Sequence, residues 1–404
     1  MNDRSDNVAP LAGLRILDLT RLLPGPAATL HLADFGADVI KIEDTGAGDY
    51  LRDFAPQVAN AAGRPANPVY EATNRGKRSL AVDLKQPRGR ALLLELAAGA
   101  DALIESFRPG VLARLGLGWD VLHARQPRLV LCSISGYGQD GPLAPQAGHD
   151  INYIATSGVL DQIRARGRPA VPNLQLGDLL GGALTALSTL LIALLAAQRT
   201  GVGRWVDVAM TEALLAHHYF PHAALDAGST PHGGDTLLTG GSACYGVYET
   251  ADGRFLAVGA LEDKFWRAFC EAAGLAELTT RHWSQGEAPG SAAAQETIEL
   301  VAARLRSRTL AQWNDVFTAV DACVTPVLTP AEALASEQAA ARGVVHHAGA
   351  VTAVGPLARL SDHQLELKPA PRAGEHTRPL LVELGLSADR IDALIRDGIV
   401  RFAT

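Results

Sequence analysis

The sequence predicts an α/β fold: a large domain with a mostly parallel sheet, joined to a smaller α+β domain. Strand and helix patterns alternate through roughly the first 200 residues, as right-handed βαβ units require. Near Pro231 the pattern changes to glycine-interrupted hairpins and amphipathic helices. The chain's 404 residues suit about two domains rather than one core.

The elements read in order as follows. Residues 14–19 form an apolar strand, the Leu23-Pro24-Gly25-Pro26 stretch turns the chain, and residues 27–35 form a helix. Residues 38–43 are a second strand and 79–83 a third, followed by a helix over 87–98. Residues 101–105 and 128–133 are further strands with short helices between them. Ligands are expected at the carboxyl ends of these strands. Past residue 231, Gly233, Gly234, Gly240 and Gly241 break the chain. Residues 245–249 and 254–258 then form a hairpin around Ala251-Asp252-Gly253, and helices follow near 263–273 and 296–307. A strand and linker run over 325–330, and residues 390–396 close the chain as a helix.

Composition narrows the function. A net charge of −7 argues against nucleic acid, which calls for a basic face, and against a polybasic membrane anchor. The cysteines Cys132, Cys244, Cys270 and Cys323 show no C-x-x-C spacing, which suits reduced thiols in a cytoplasmic protein. Residues 1–10 lack the basic start and apolar run of a signal peptide. Residues 179–197 carry no charge and approach the length of a membrane span, but Gly181, Gly182, Thr185, Ser188 and Thr189 favour a buried helix and no membrane association. The pairs His217-His218 and His346-His347 lack metal spacing, and neither a P-loop nor a G-x-G-x-x-G follows a strand. No metal site is expected.

Two segments carry the chemistry. Gly148-His149-Asp150 sets an imidazole beside a carboxylate, and Gly177-Asp178 sets a carboxylate at the start of an apolar helix. A His and an Asp sharing one cleft could serve two faces of a single carbon. Alone, His149 reads as a structural hydrogen-bonding residue, Asp150 as a helix cap or a bond to nearby backbone, and Asp178 as an N-cap. A carboxylate at a helix N-terminus is stabilised as an anion, and Gly181 and Gly182 would leave a ligand room to approach.

Longer blocks then match a known family. They are LAGLRILDLTRLLPGPAATLHLADFGADVIKIE from residue 11, NRGKRSLAVDLK from 74, ESFRPGVLARLGLGWD from 105, SISGYGQDGP from 133, AGHDINY from 147, CYGVYETADGRFLAVGALEDKFW from 244 and DACVTPVLTPAEAL from 321. Through them the chain resembles the family III CoA-transferases, and through AGHDINY and the Glu of GALEDKFW the α-methylacyl-CoA racemase branch. Ala183 stands where the family often has a third glycine, and Gly46-Ala47-Gly48-Asp49-Tyr50-Leu51-Arg52 is at least as common in the transferase branch. The resemblance implies an interlaced homodimer, with a Rossmann-like large domain built from both chain ends. The expected limits are 1–208 for the large domain, 209–231 for a linker, 232–328 for the small domain, and 329–404 for the return linker and the rest of the large domain.

The resemblance also implies roles. His149 and Asp178 become acid/base groups acting on a 2-methylacyl-CoA thioester, with Glu262 orienting His149 as a triad acid does. One group would remove the α-proton to give an enolate, held by backbone N–H groups at the start of the Asp178 helix, and the other would reprotonate the opposite face. Arg108 and Arg114 become phosphate contacts, with Arg75 and Lys41 as further candidates. Tyr153 would line the thioester pocket, or belong to the core, and Gly25 and Pro26 would let backbone approach the ligand. No cofactor is implied, since CoA is part of the substrate. Two alternatives stand beside this reading. One is CoA transfer between carboxylic acids through a covalent Asp178 intermediate, and the other is a catalytically silent acyl-CoA-binding protein.

Overall fold

The computed structural model describes residues 9–165 and 167–403; the polar start of the chain, residues 1–8, lies outside them. The described residues fall into two compact units. One takes the chain up to Ser157, Asn173–His217 and everything from Gln338 onward; the other takes Gly158–Pro172 and His218–Glu337. These limits differ from the expected 208/209, 231/232 and 328/329. The short excursion after Ser157 also belongs to the second unit.

In the first unit the order is β1 (Arg15–Leu19), α1 (Pro24–Asp34), β2 (Asp38–Glu43), β3 (Arg78–Val82), α2 (Pro87–Ala97), β4 (Ala102–Glu105), β5 (Val130–Ser135), α3 (Asp150–Thr156), a π-helical turn Gly177–Leu184 running into α4 (Thr185–Thr200), β6 (Trp205–Ala209) and α5 (Met210–Ala216). The strands lie in the order β6-β5-β4-β1-β2-β3 with parallel neighbours. Val400–Arg401 then adds an antiparallel edge strand beside β3. The sheet is therefore built from both ends of the chain, as expected. Its strands are near-continuous apolar runs because both faces are covered. Leu17, Leu80 and Leu103 pack under α2 and the C-terminal helices, and Ile16, Val39 and Ile104 pack under α1 and α4. Truncating one of these to Ala would cost about 2–5 kcal/mol.

One boundary departs from the sequence reading. Leu23-Pro24-Gly25-Pro26 is not a turn; α1 starts at Pro24. Proline fits the first helical turn because its missing N–H has no intrahelical partner there.

The strand order reverses between β1 and β4. β1, β2 and β3 step one way, while β4, β5 and β6 step the other. That switch point opens a crevice between the segments leaving the two strands, the usual ligand position in open α/β sheets.

Gly177–Thr200 is the one helix among the described residues long and apolar enough to cross a membrane, and 39% of its most apolar stretch is buried. Ala186, Leu190, Ala193, Leu194 and Ala197 pack into the core, whereas Leu191, Ile192 and Leu195 are exposed. The expected buried helix thus holds for one face only.

The second unit is a three-stranded antiparallel sheet, Tyr245–Glu249, Phe255–Gly259 and Val324–Pro326. The helices Asp263–Ala273, Ala292–Leu305 and Leu310–Phe317 bury Trp266, Phe269, Val301 and Trp313 against it. The hairpin and the 263–273 helix match their sequence readings.

Candidate active site

A cavity of about 490 Å³ lies at the switch point. Its wall includes Arg21, Leu22 and Pro24 after β1, Phe107 and Arg108 after β4, and Ser135 and Tyr137 at the end of β5. His149, Asn152, Tyr153 and Asp178 complete the polar side, so the two expected acid/base residues share one cavity.

His149 is the N-cap of α3. Its backbone N–H donates to Asn152 Oδ1 at 3.0 Å, and its carbonyl accepts from the Asn152 N–H at 2.8 Å. The backbone of the imidazole is fixed while its side chain stays exposed. Tyr153 supports the same corner. Its hydroxyl donates to the Gly148 carbonyl at 2.5 Å, and its ring meets Tyr137 edge-on with centroids 5.3 Å apart. A Cβ at Gly136 would sit 2.1 Å from the Tyr153 ring, and one at Gly148 2.6 Å. Both glycines are needed for this contact. Tyr153 therefore fills both roles considered for it, core residue and cavity wall.

Asp178 is the second residue of the π-helical turn, not its N-cap. Its backbone N–H donates to Asp150 Oδ1 at 2.9 Å, and that of Leu179 to the Gln175 carbonyl at 2.8 Å. These two N–H groups are therefore already bonded within the protein. Asp150 makes the backbone bond expected of it, but across 28 positions of the chain. The carboxyl of Asp178 behaves opposite to the expected anion: burial, with the Asp150 carboxylate adding to it, pushes its pKa up to about 7. Desolvation and a like charge outweigh the helix end. The room foreseen at Gly181 and Gly182 is filled by protein. A Cβ at Gly181 would lie 2.7 Å from the Met210 carbonyl oxygen, and one at Gly182 2.8 Å from Pro24 Cβ.

Several expected ligand contacts are committed inside the protein. Lys41 is fully buried, its Nζ 3.0 Å from both the Thr20 carbonyl and Asp49 Oδ2. Arg75 is buried and grips Asp34 through Nε and Nη2 at 3.1 and 2.5 Å. Neither cation can reach a ligand without breaking a buried pair, which typically costs 3–5 kcal/mol. Gly25 and Pro26 are buried too. A Cβ at Gly25 would lie 2.2 Å from Thr20 Cβ, so that glycine serves the approach of α1 to β1, and Pro24 faces the cavity instead. Arg108 remains free. It lines the cavity, and among the described residues its guanidinium forms no hydrogen bond or ion pair, while its carbonyl accepts from the Val111 N–H at 3.1 Å. Arg114 is exposed at the end of the short helix Val111–Arg114 and lines neither this cavity nor the next. Glu262 belongs to the second unit, exposed at the N-cap of Asp263–Ala273, where its carbonyl accepts from Phe265 and Trp266.

A second cavity of about 560 Å³ adjoins the first along the strand ends, and the two share Arg21 and Phe107. It is mainly apolar, lined by Leu19, Ile42, Val82, Leu84, Val111 and Leu115, with Lys85 and Asp44 at its edge. Sequence reading passed over Arg21, Lys85 and Tyr50. Arg21 was detectable as the first charged residue past β1, at the carboxyl end where ligands bind. Tyr50 reaches the first cavity because Asp49 accepts from Leu51 and Leu22 N–H groups and so ties the 49–53 turn down. Among the described residues no cluster of three His, Cys, Asp or Glu side chains is arranged to hold a metal.

Residues 11–377 match the family described as CoA-transferase family III. The chain is 35% identical to the alpha-methylacyl-CoA racemase of Homo sapiens over 401 residues, 96% of this chain and 97% of that one. It is 32% identical to the succinyl-CoA:glutarate CoA-transferase of Mus musculus over 410 residues, 98% of this chain and 91% of that one. The crystal structure of a CAIB/BAIF family protein from Brucella suis matches with a TM-score of 0.80 and 28% identity, covering 93% of this chain and 99% of that chain.

Proposed function

The chain belongs to CoA-transferase family III, a family of enzymes acting on CoA thioesters, and we propose that within it this protein inverts the α-carbon of 2-methylacyl-CoA thioesters. The observation that carries the reading is His149 and Asp178 in one cavity, with the Asp178 carboxyl pushed up to about 7. At neutral pH such a carboxyl is present in both protonation states and can take or give a proton, and the His149 imidazole supplies a second group of the type used for general acid–base catalysis.

One group breaks the α-C–H bond, and the electron pair moves into an enolate. The other group, entering protonated, delivers its proton to the opposite face. The two groups finish with their protonation states exchanged. With the Asp178 and Leu179 N–H groups occupied, Arg108 is the free donor nearest in kind to what a developing enolate oxygen needs. Glu262 is proposed to fix the tautomer of His149. The paired cavities suit an extended thioester, with the acyl end beside Asp178 and the nucleotide in the apolar cleft near Lys85. The reaction draws on no group besides the CoA carried by the substrate. We also propose a homodimer, supported by the exposed apolar face of α4.

A second reading rests on a specific feature. The free guanidinium of Arg108 in the Asp178 cavity also suits an acceptor carboxylate. Asp178 would then attack the thioester carbonyl, release CoA as thiolate and carry the acyl group as an anhydride. Incubating the protein in D2O with a panel of acyl-CoAs distinguishes the readings. A racemase washes deuterium into the α-carbon with no acceptor acid present. Absence of exchange for every 2-methylacyl-CoA, with CoA passing to an added acid, would overturn the racemase.

A further inference from the structure

We infer that Arg21 is the diphosphate clamp of this site, an inference that rests on the acyl-CoA reading above and gives one contact to a residue not otherwise assigned. Arg21 and Phe107 are the two residues that line both cavities, so a ligand running from one to the other passes between them. In an acyl-CoA the diphosphate joins the nucleotide to the pantetheine arm, and so lies at that junction. The apolar cleft carries the carboxylates Asp44 and Asp83 and one further cation, Lys85, while the Glu43 carboxylate is already engaged by Arg52. Of the two cavities, Lys85 lines only the apolar cleft and Arg108 only the first, so Arg21 is the cation that lines both.

The guanidinium is held ready without being used up. Arg21 Nη2 donates to Asp44 Oδ2 at 2.7 Å, and both side chains are 39% exposed. Asp44 is itself fixed, its Oδ1 accepting from the N–H groups of Gly46 and Gly48 at 2.8 and 3.2 Å. A guanidinium has five N–H donors in a planar fork, and this contact takes one. The others can bond phosphate oxygens while Asp44 keeps the fork in place. The backbone is set for the same purpose. Leu22 stands at φ +62°, a left-handed conformation that is unfavourable for a non-glycine residue. It is retained where Asp49 Oδ1 accepts from the Leu22 N–H at 3.3 Å. Strain held this way by a buried carboxylate fixes where the Arg21 side chain leaves the chain.

The test is calorimetric binding of CoA, dephospho-CoA and an S-acyl pantetheine to the unaltered protein and to Arg21→Ala, Arg21→Gln and Arg21→Lys. Dephospho-CoA keeps the diphosphate and lacks the 3′-phosphate; the pantetheine thioester lacks both. Arg21→Ala and Arg21→Gln should weaken CoA and dephospho-CoA alike, by about 10- to 100-fold, and leave the pantetheine thioester unchanged. Arg21→Lys should recover part of the loss. Unchanged CoA affinity in Arg21→Gln overturns the inference, as does a loss confined to CoA, or an equal loss for all three ligands. If the unaltered protein binds none of the three, the acyl-CoA reading itself falls.

Discussion

Asp150 Oδ1 accepts a hydrogen bond from the backbone N–H of Asp178 at 2.9 Å, which ties the first turn of α3 to the π-helical turn that carries the second acid/base residue. The bond does two things at once. It fixes the Asp178 backbone at the cavity wall, and it brings a second carboxylate close enough to raise the Asp178 pKa beyond what burial does alone.

Those two effects separate in Asp150→Asn. The amide oxygen can still accept from the Asp178 N–H, but the charge is gone. The limb of the pH–rate profile assigned to Asp178, expected near 7, should move to lower pH with little loss of fold stability. Asp150→Ala also removes the acceptor and should cost about 1 kcal/mol in addition. A limb that stays in place in Asp150→Asn would show that Asp150 exerts no charge effect on the site.

The same raised pKa fixes the sign of a stability change. In the unfolded chain Asp178 titrates near 3.8, and in the folded protein near 7. Between those values the folded state holds more protons, so stability falls as pH rises through the window and the full cost is present above 7. Asp178→Asn should therefore be inactive yet more stable than the unaltered protein at pH 8, by on the order of 2 kcal/mol once partial exposure is allowed for. Near pH 4 the difference should vanish. Denaturant melts at the two pH values check this, and equal midpoints at pH 8 would contradict it.

Much of the large sheet could be read from residue order because its central strands are apolar-rich runs buried on both faces, as in RILDL and DVIKIE. The closing strand Val400–Arg401 was not legible by pattern, since two residues have no period; only resemblance pointed to the C-terminal contribution. His149 and Asp178 were identified as a pair, although the Asp150–Asp178 bond spans loops that no local rule connects. The cations were the hardest to place. Lys41 lies on a strand whose alternation hides it beneath the 49–53 turn, and Arg75 meets an Asp34 that lies 41 positions earlier. A one-dimensional reading leaves such charges free for a ligand because their partners arrive only with the fold. The glycines misled for a related reason: space around Gly25, Gly181 and Gly182 is taken by Thr20, Met210 and Pro24 rather than by ligand.

The exposed side of α4 gives a prediction about assembly. Ile192 is 68% exposed and Leu195 48%, on a helix whose other face is core. Sedimentation should find a dimer at micromolar concentration, burying well above the ordinary ~1,600 Å² of a stable interface. Ile192→Asp should shift it toward monomer by setting a charge in that contact. A well-folded, active monomer of the unaltered protein would remove the dimer from the proposal.

The last prediction concerns the two-base reaction itself. If His149 and Asp178 serve opposite faces of the α-carbon, His149→Ala and Asp178→Ala should each abolish inversion. Each variant keeps one base. That base can remove a proton and return a deuteron on its own side, so each variant should still exchange the α-hydrogen of one enantiomer, and the two variants should prefer opposite enantiomers. General acid–base groups of this kind typically contribute about 10²–10⁴-fold, so inversion should fall by at least that much while single-face exchange persists. In a transferase the pattern differs. Asp178→Ala would remove an acyl-enzyme that hydroxylamine traps, and His149→Ala would change only its rate. The measurement is deuterium uptake into separate R and S 2-methylacyl-CoA by both variants, with hydroxylamine trapping alongside. Racemisation by either variant at the unaltered rate would end the two-base reading. An adduct on Asp178 that turns over with an acceptor acid would assign the cavity to CoA transfer, with Arg108 holding the acceptor carboxylate.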